Sequence, residues 1–173
     1  ERLELKKTLF EHLISGTPQG TILASNTSGI PISKIAKDTK EPHRILGTHF
    51  WNPPHLVPLV EVVQSDFTDP KMIQRVLVLL TTVGKTAVHI KKDVPGVVGN
   101  RLQHALKREA ISLVENGICD AETVDMVVKE GFGMRLPVMG PLENSDLVGL
   151  DLTLDIHKYL FSELDISTGP QTL

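Results

Sequence analysis

The sequence predicts an α/β region followed by an all-α region. Two observations carry that prediction. Strand-like and helix-like segments alternate from the start of the chain to residue 90, the pattern of a sheet covered by helices. Beyond "KKDVPG" (91–96) no convincing strand follows, and amphipathic helical stretches take over. The expected division is 1–93 and 94–173, with the boundary near residues 92–97.

The first segment, "ERLELKKTLFEHLISG", reads as a helix because Leu5, Leu9 and Leu13 recur every fourth position with Phe10 and Ile14 beside them. "TILAS" (21–25) predicts a short buried strand, "NTSGIP" a polar Gly/Pro loop, and "ISKIA" (32–36) a short helix. "RILGTHFW" (44–51) predicts a second strand, ended by Pro53 and Pro54, since proline lacks the ladder donor and restricts the residue before it. "LVPLVEVVQ" (56–64) predicts a third strand. Asp69 and Pro70 form an N-cap and first helical position. Ile73, Val76, Leu77, Leu80 and Val83 supply the apolar stripe, and Gly84 the stop. "TAVHI" (86–90) is the fourth strand.

In the second region, "VVGNRLQHALKREAISLVENG" predicts one long helix with Val98, Leu102, Leu106, Ala110 and Leu113 on a face and Gly117 closing it. Asp120 caps a further helix that ends at Gly131. "GFGMRLPVMGPLENSD" (131–146) is expected to be loop, and "LVGLDLTLDIHKYLFSEL" (147–164) largely helical. The start without methionine and the end amid fresh turn signals read as an internal piece of a longer protein.

Composition narrows the function. With 40% hydrophobic and 23% charged residues in a 173-residue chain, a real core is affordable. The net charge of -3 and the lack of a dense Lys/Arg cluster argue against nucleic acid or an anionic membrane as partner. A single cysteine, Cys119, excludes an intrachain disulfide and predicts a reducing, cytoplasmic setting. No apolar run reaches the roughly 18 residues of a membrane span. No His/Cys/Asp/Glu set has zinc spacing, so no metal is expected. G-x-S-x-G, P-loop and post-strand G-x-G-x-x-G motifs are also missing.

The chemistry points to "GTHFWNPPHLVPLVEVV" (47–63). Glu61 stands among apolar residues, where a carboxylate is costly unless it is paired. The double proline predicts a turn that folds the second strand toward the third and brings Glu61 to His49. A carboxylate on one imidazole nitrogen fixes the tautomer, steadies the imidazolium and leaves the other nitrogen as a general base. The plainer alternative for His49 is a partly buried histidine bonded to a carbonyl. Ser28 lies in the loop after the first strand. Loops at the carboxyl ends of strands in an open parallel α/β sheet bind ligands, though Ser in "NTSG" also suits a turn. Asn100, in the first turn of the long helix, suits either a helix end or a substrate carbonyl. Trp51 suits packing more than stacking on a ligand, and its position two residues after His49 leaves both open.

"ASNTSGIPISKIA", "GTHFWNPPHLVPLVEVV", "DVPGVVGNRL" and "MGPLENSDLVGLD" resemble, in order and spacing, the motifs of the L-3-hydroxyacyl-CoA dehydrogenases. The resemblance runs from Glu1 to about Asp151. It implies the C-terminal part of a Rossmann-type NAD-binding domain and a helical domain that builds a homodimer. It also implies oxidation of a secondary alcohol of an acyl-CoA in fatty acid metabolism, with hydride passing to NAD. By motif, His49 resembles the catalytic base, Glu61 its carboxylate partner, Ser28 a residue touching substrate and nicotinamide, and Asn100 the substrate-side amide. Glu1 and Lys6 match positions that contact the cofactor, and Asn26 lies beside that contact.

Three departures accompany the likeness. The family's glycine-rich loop and its surroundings, about the first hundred residues, are not in this sequence, so the chain alone is expected to bind NAD poorly or not at all. "NPPHLVPLVE" and the longer "GFGMRLPVMGPLE" are closer to the lambda-crystallin, gulonate dehydrogenase and carnitine dehydrogenase branches and to a pyridine-alcohol dehydrogenase. Those act on free hydroxy compounds, and Arg135 would then either meet a substrate carboxylate or stay a solvated loop charge. A structural or dimerising module is the rival of another class.

Overall fold

The structure, a computed structural model, describes residues 2–171. It divides into two compact units, one extending to Leu102 and one beginning at Gln103.

The first unit contains α1 (Leu3–Gly16), β1 (Leu23–Ser25), α2 (Ile32–Ala36), β2 (Ile45–Phe50), β3 (Leu59–Val63), α3 (Pro70–Thr82) and β4 (Thr86–Ile90). The strands form one sheet in the order β1-β2-β3-β4. β1 pairs parallel with β2 and β3 with β4, but β2 and β3 run antiparallel. The sheet is therefore mixed rather than wholly parallel. The cause is length: residues 51–58 between β2 and β3 are too few for the crossover of about a dozen residues that a parallel return requires.

Strand alternation gives this sheet two packed faces. Ile45, Leu23 and Val63 join Phe10 and Ile14 of α1 and Ile32, Ile35 and Ala36 of α2 in one core cluster. Leu46, Val60 and Val62 join Met72, Ile73, Val76 and Leu80 of α3 in the other. Each fully buried aliphatic side chain contributes about 1.5–3 kcal/mol of transfer free energy. The stripe expected on α3 is largely present, with Met72 buried and Val83 64% exposed past the helix end. Asp69 caps α3 by accepting from the Lys71 amide.

Gly47 decides how close α2 comes to the first face. A Cβ there would lie 3.0 Å from Ile32 Cγ1 and 3.0 Å from Val63 Cβ, so the absent side chain lets Ile32 settle on β2. Arg44, in a 3-10 turn over Pro42–Arg44, is 1% exposed. It pairs with Glu41 and donates to the carbonyls of Thr21 and Pro18 and to Thr17 Oγ1. Those acceptors make its burial tolerable and tie the α1–β1 connection to the start of β2.

The α4 helix runs Gly99–Glu115, and the second unit continues with α5 (Ala121–Glu130), α6 (Pro141–Val148) and α7 (Leu150–Leu160). No residue of α4 to α7 is buried. Asp120 caps α5 by accepting from the Thr123 amide at 2.8 Å. Residues 141–146, expected as loop, form most of α6. Pro141 occupies its first turn and the Glu143 carboxylate reaches back to accept from the Gly140 amide, which closes the helix end. Among the described residues no helix is long and apolar enough to cross a membrane.

Candidate active site

In the antiparallel β2–β3 ladder His49 stands directly opposite Glu61. Opposed residues share a face, so the two side chains meet on the side of the sheet covered by α1 and α2. His49 Nδ1 lies 2.7 Å from Glu61 Oε2, with His49 5% and Glu61 2% exposed. A carboxylate only accepts, so the Nδ1 proton belongs to this bond and Nε2 is left with its lone pair. Nε2 in turn lies 3.2 Å from Ser28 Oγ, which donates to it in the neutral imidazole.

Glu61's second oxygen is also used. Oε1 accepts from the amides of Val98 at 3.1 Å and Gly99 at 3.0 Å. These are donors that the first turn of α4 cannot satisfy internally, so Glu61 caps that helix from another strand, with its negative charge at the positive end of the helix dipole. One carboxylate thus joins the imidazole to α4. The next residue, Asn100, extends Nδ2 to the Ser28 carbonyl at 3.4 Å. The structure therefore brings His49, Glu61, Ser28 and Asn100 into one cluster. A small cavity of about 10 Å³ lies beside it, lined by Thr27, Ser28, Gly47, His49, Asp93 and Val97 among others.

Of the positions expected at a cofactor, Lys6 and Asn26 lie at the carboxyl end of β1. Lys6 Nζ, on α1, is 3.5 Å from Ser25 Oγ, the last residue of β1. Asn26 follows, and its Oδ1 accepts from the Phe50 amide at 2.9 Å, so that oxygen holds the end of β2. Glu1 lies outside the described residues.

Sequence reasoning passed over two contacts, and it expected Trp51 to pack without naming its partners. The capping of α4 by Glu61 left one faint trace: "VPGVV" offers no Ser, Thr, Asp or Asn side chain next to the helix start, so a donor-rich end had to find its acceptor elsewhere. Asp93 Oδ2 accepts from the Ser33 amide at 2.6 Å, joining the segment before α4 to α2. Trp51 packs against Gly99 and His49. Among the described residues no group of three or more His, Cys, Asp or Glu stands ready for a metal ion.

Fold and site together define a class: the sheet-and-helix half of a nucleotide-binding domain, carrying a buried imidazole–carboxylate pair, followed by a helical domain. Residues 1–94 match the NAD binding domain of 3-hydroxyacyl-CoA dehydrogenase, and residues 96–171 match its C-terminal domain. The chain belongs to the 3-hydroxyacyl-CoA dehydrogenase family. It is 38% identical, over 95% of its length and 53% of the relative's, to the 5-formyl-3-hydroxy-2-methylpyridine 4-carboxylate 5-dehydrogenase of Mesorhizobium japonicum. It is 42% identical to a probable 3-hydroxybutyryl-CoA dehydrogenase of Bacillus subtilis, over 95% of this chain and 56% of that one. A crystal structure of the NAD+-dependent pyridine enzyme superposes with a TM-score of 0.94 at 37% identity, covering 99% of this chain and 55% of that chain. The chain spans about half the length of these relatives.

Proposed function

We propose that the protein containing this chain is an NAD-dependent dehydrogenase that oxidises a 3-hydroxyacyl-CoA to the 3-ketoacyl-CoA. The observation that carries this reading is the imidazole held between Glu61 on Nδ1 and Ser28 at Nε2. A substrate hydroxyl placed at Nε2 gives its proton to His49 while the hydrogen on the same carbon leaves as hydride, so that the C–O bond becomes a carbonyl. NAD, when bound, supplies the hydride acceptor. Glu61 stabilises the imidazolium, and a base held this way contributes about 10² to 10⁴ in rate. Ser28 and Asn100 hold the oxygen atoms of the substrate. Ser28 and Lys6 beside Ser25 suit the nicotinamide end of the cofactor, because they gather at the carboxyl end of β1, where open α/β sheets bind ligands.

The helical domain is the surface through which we expect a homodimer, supported by its exposed Leu142, Leu147, Leu154, Tyr159 and Phe161. The lone cysteine supports a cytoplasmic location. A second reading, a free hydroxy acid or aromatic alcohol without CoA, is favoured by the likeness to the pyridine carboxylate enzyme.

The test is NADH absorbance in the full-length protein, with 3-hydroxybutyryl-CoA set against free 3-hydroxy acids and aromatic alcohols. Turnover of the thioester is expected to lead, and a lead for the free compounds selects the second reading. His49→Gln is expected to lower kcat by about 10² to 10⁴ with NAD affinity retained. A near-wild-type rate in that variant ends the assignment.

A further inference from the structure

Trp51 stands two residues beyond His49, where the supports of the imidazole converge. A Cβ on Gly99 would lie 2.1 Å from Trp51 Cζ2, 2.9 Å from Cη2 and 3.2 Å from Cε2. The indole therefore fills the space over the first residue of α4, and only a glycine admits it in this pose. It also neighbours the imidazole, with ring centroids 5.8 Å apart and planes tilted by 54°. Its one polar atom, Nε1, is buried without a hydrogen-bond partner. An unmade bond at a buried donor is a cost, so the ring serves here by its shape and not by its N–H.

We propose that Trp51 and Gly99 are a positioning pair for the His49–Glu61 dyad. The indole, admitted by the missing side chain at 99, sets how closely the first turn of α4 stands to β2. Two consequences follow from the bonds at that turn. The Gly99 amide is one of the two donors that hold Glu61 Oε1, so the seating of the ring fixes the carboxylate that orients His49. Asn100 comes next in the chain and reaches the Ser28 carbonyl, so the same contact fixes the spacing between α4 and the serine loop. Neither Trp51 nor Gly99 needs to touch substrate. They act through Glu61 and Asn100, and the proposal rests on the reading of His49 as the base.

A mutant cycle in the full-length protein tests it, with kcat and KM measured for Gly99→Ala, Trp51→Phe and the double variant. Gly99→Ala forces the ring or the helix to move and is expected to lower kcat about ten- to a hundredfold, with KM little changed, since misplacement of catalytic groups by about 1 Å is that costly. Trp51→Phe leaves a gap over Gly99 and gives a smaller loss. The double variant, in which the new methyl enters the space the smaller ring vacates, is expected to recover most of the activity that Gly99→Ala loses. Additive losses, or a wild-type kcat in Gly99→Ala, overturn the pair. If Gly99→Ala fails to fold, Trp51→Phe and the double variant still decide: adding the methyl to the phenylalanine background must leave kcat equal or higher, and a further loss overturns the proposal. His49→Gln in the same assay separates the two ideas. Retained turnover there removes the base assignment, whereas an inactive His49→Gln beside an additive cycle removes only the positioning pair.

Discussion

The two units solve the problem of stability differently. In the first, a four-stranded sheet is covered on both faces, and Ile35, Ile45, Leu46, Val60, Val62 and Ile73 are fully buried. In the second, the helices bury none of their residues, and Leu142, Leu147 and Tyr159 are more than 70% exposed. A packed core can hold the hydrogen-bonded His49–Glu61 pair out of water, because rigid neighbours keep every partner in reach. Helices with open apolar faces gain their burial only from something outside them. The candidate chemistry lies in the unit that holds the buried core, although Leu5, Leu9, Val78 and Leu79 on its helices are at least half exposed.

The sharpest way to break this contrast is Glu61→Ala. That change leaves the His49 Nδ1 proton and the Val98 and Gly99 amides without their acceptor in a buried place. Loss of about 3–5 kcal/mol is expected, together with loss of turnover, read from the urea midpoint and the NADH assay. A change below about 1 kcal/mol in the midpoint means these groups find water, and the site is wetter than its burial indicates. Ile35→Ala comes next, at about 2–5 kcal/mol, because the side chain is fully enclosed and its neighbours are fixed by two elements. Leu147→Ala should do far less to the protomer, within about 0.5 kcal/mol at high dilution, while weakening the proposed homodimer in light scattering. Equal destabilisation by Ile35→Ala and Leu147→Ala in dilute solution would erase the distinction between the units.

Legibility followed the range of the interaction. Helix α2 and strand β4 match the expected spans residue for residue, since periodicity and flanking turn residues are local signals. The His49–Glu61 pair was readable because one short connection with two prolines joins the strands, and an isolated carboxylate among valines demands a partner. Helix α6 was not, because Gly140 and Pro141 signal a turn and a helix start equally well, and the Glu143 carboxylate that decides between them acts through a single bond. Glu61's hold on α4, Arg44's set of acceptors and the fit of Trp51 over Gly99 join segments far apart in the chain. No local pattern encodes them.

The smallest effect concerns how the second unit holds its helix ends without burial. Asp120 has its carboxyl held below the usual value of 3.8, first by a side-chain hydrogen bond with Thr123 and then by the Thr123 amide, with burial opposing weakly. A group whose folded pKa is depressed adds stability above its unfolded value and loses it as pH falls through the folded value. The cap's contribution is therefore full at neutral pH, fades below about 3.8, and is gone at pH values beneath the folded pKa. Asp120→Ala removes it. The variant should melt slightly below the wild type at neutral pH, and the gap in Tm should narrow as the pH is lowered through 3.8 and further. A gap that stays constant over that range would mean that the carboxylate's charge contributes nothing, and that α5 owes its start to the Asp120 backbone alone.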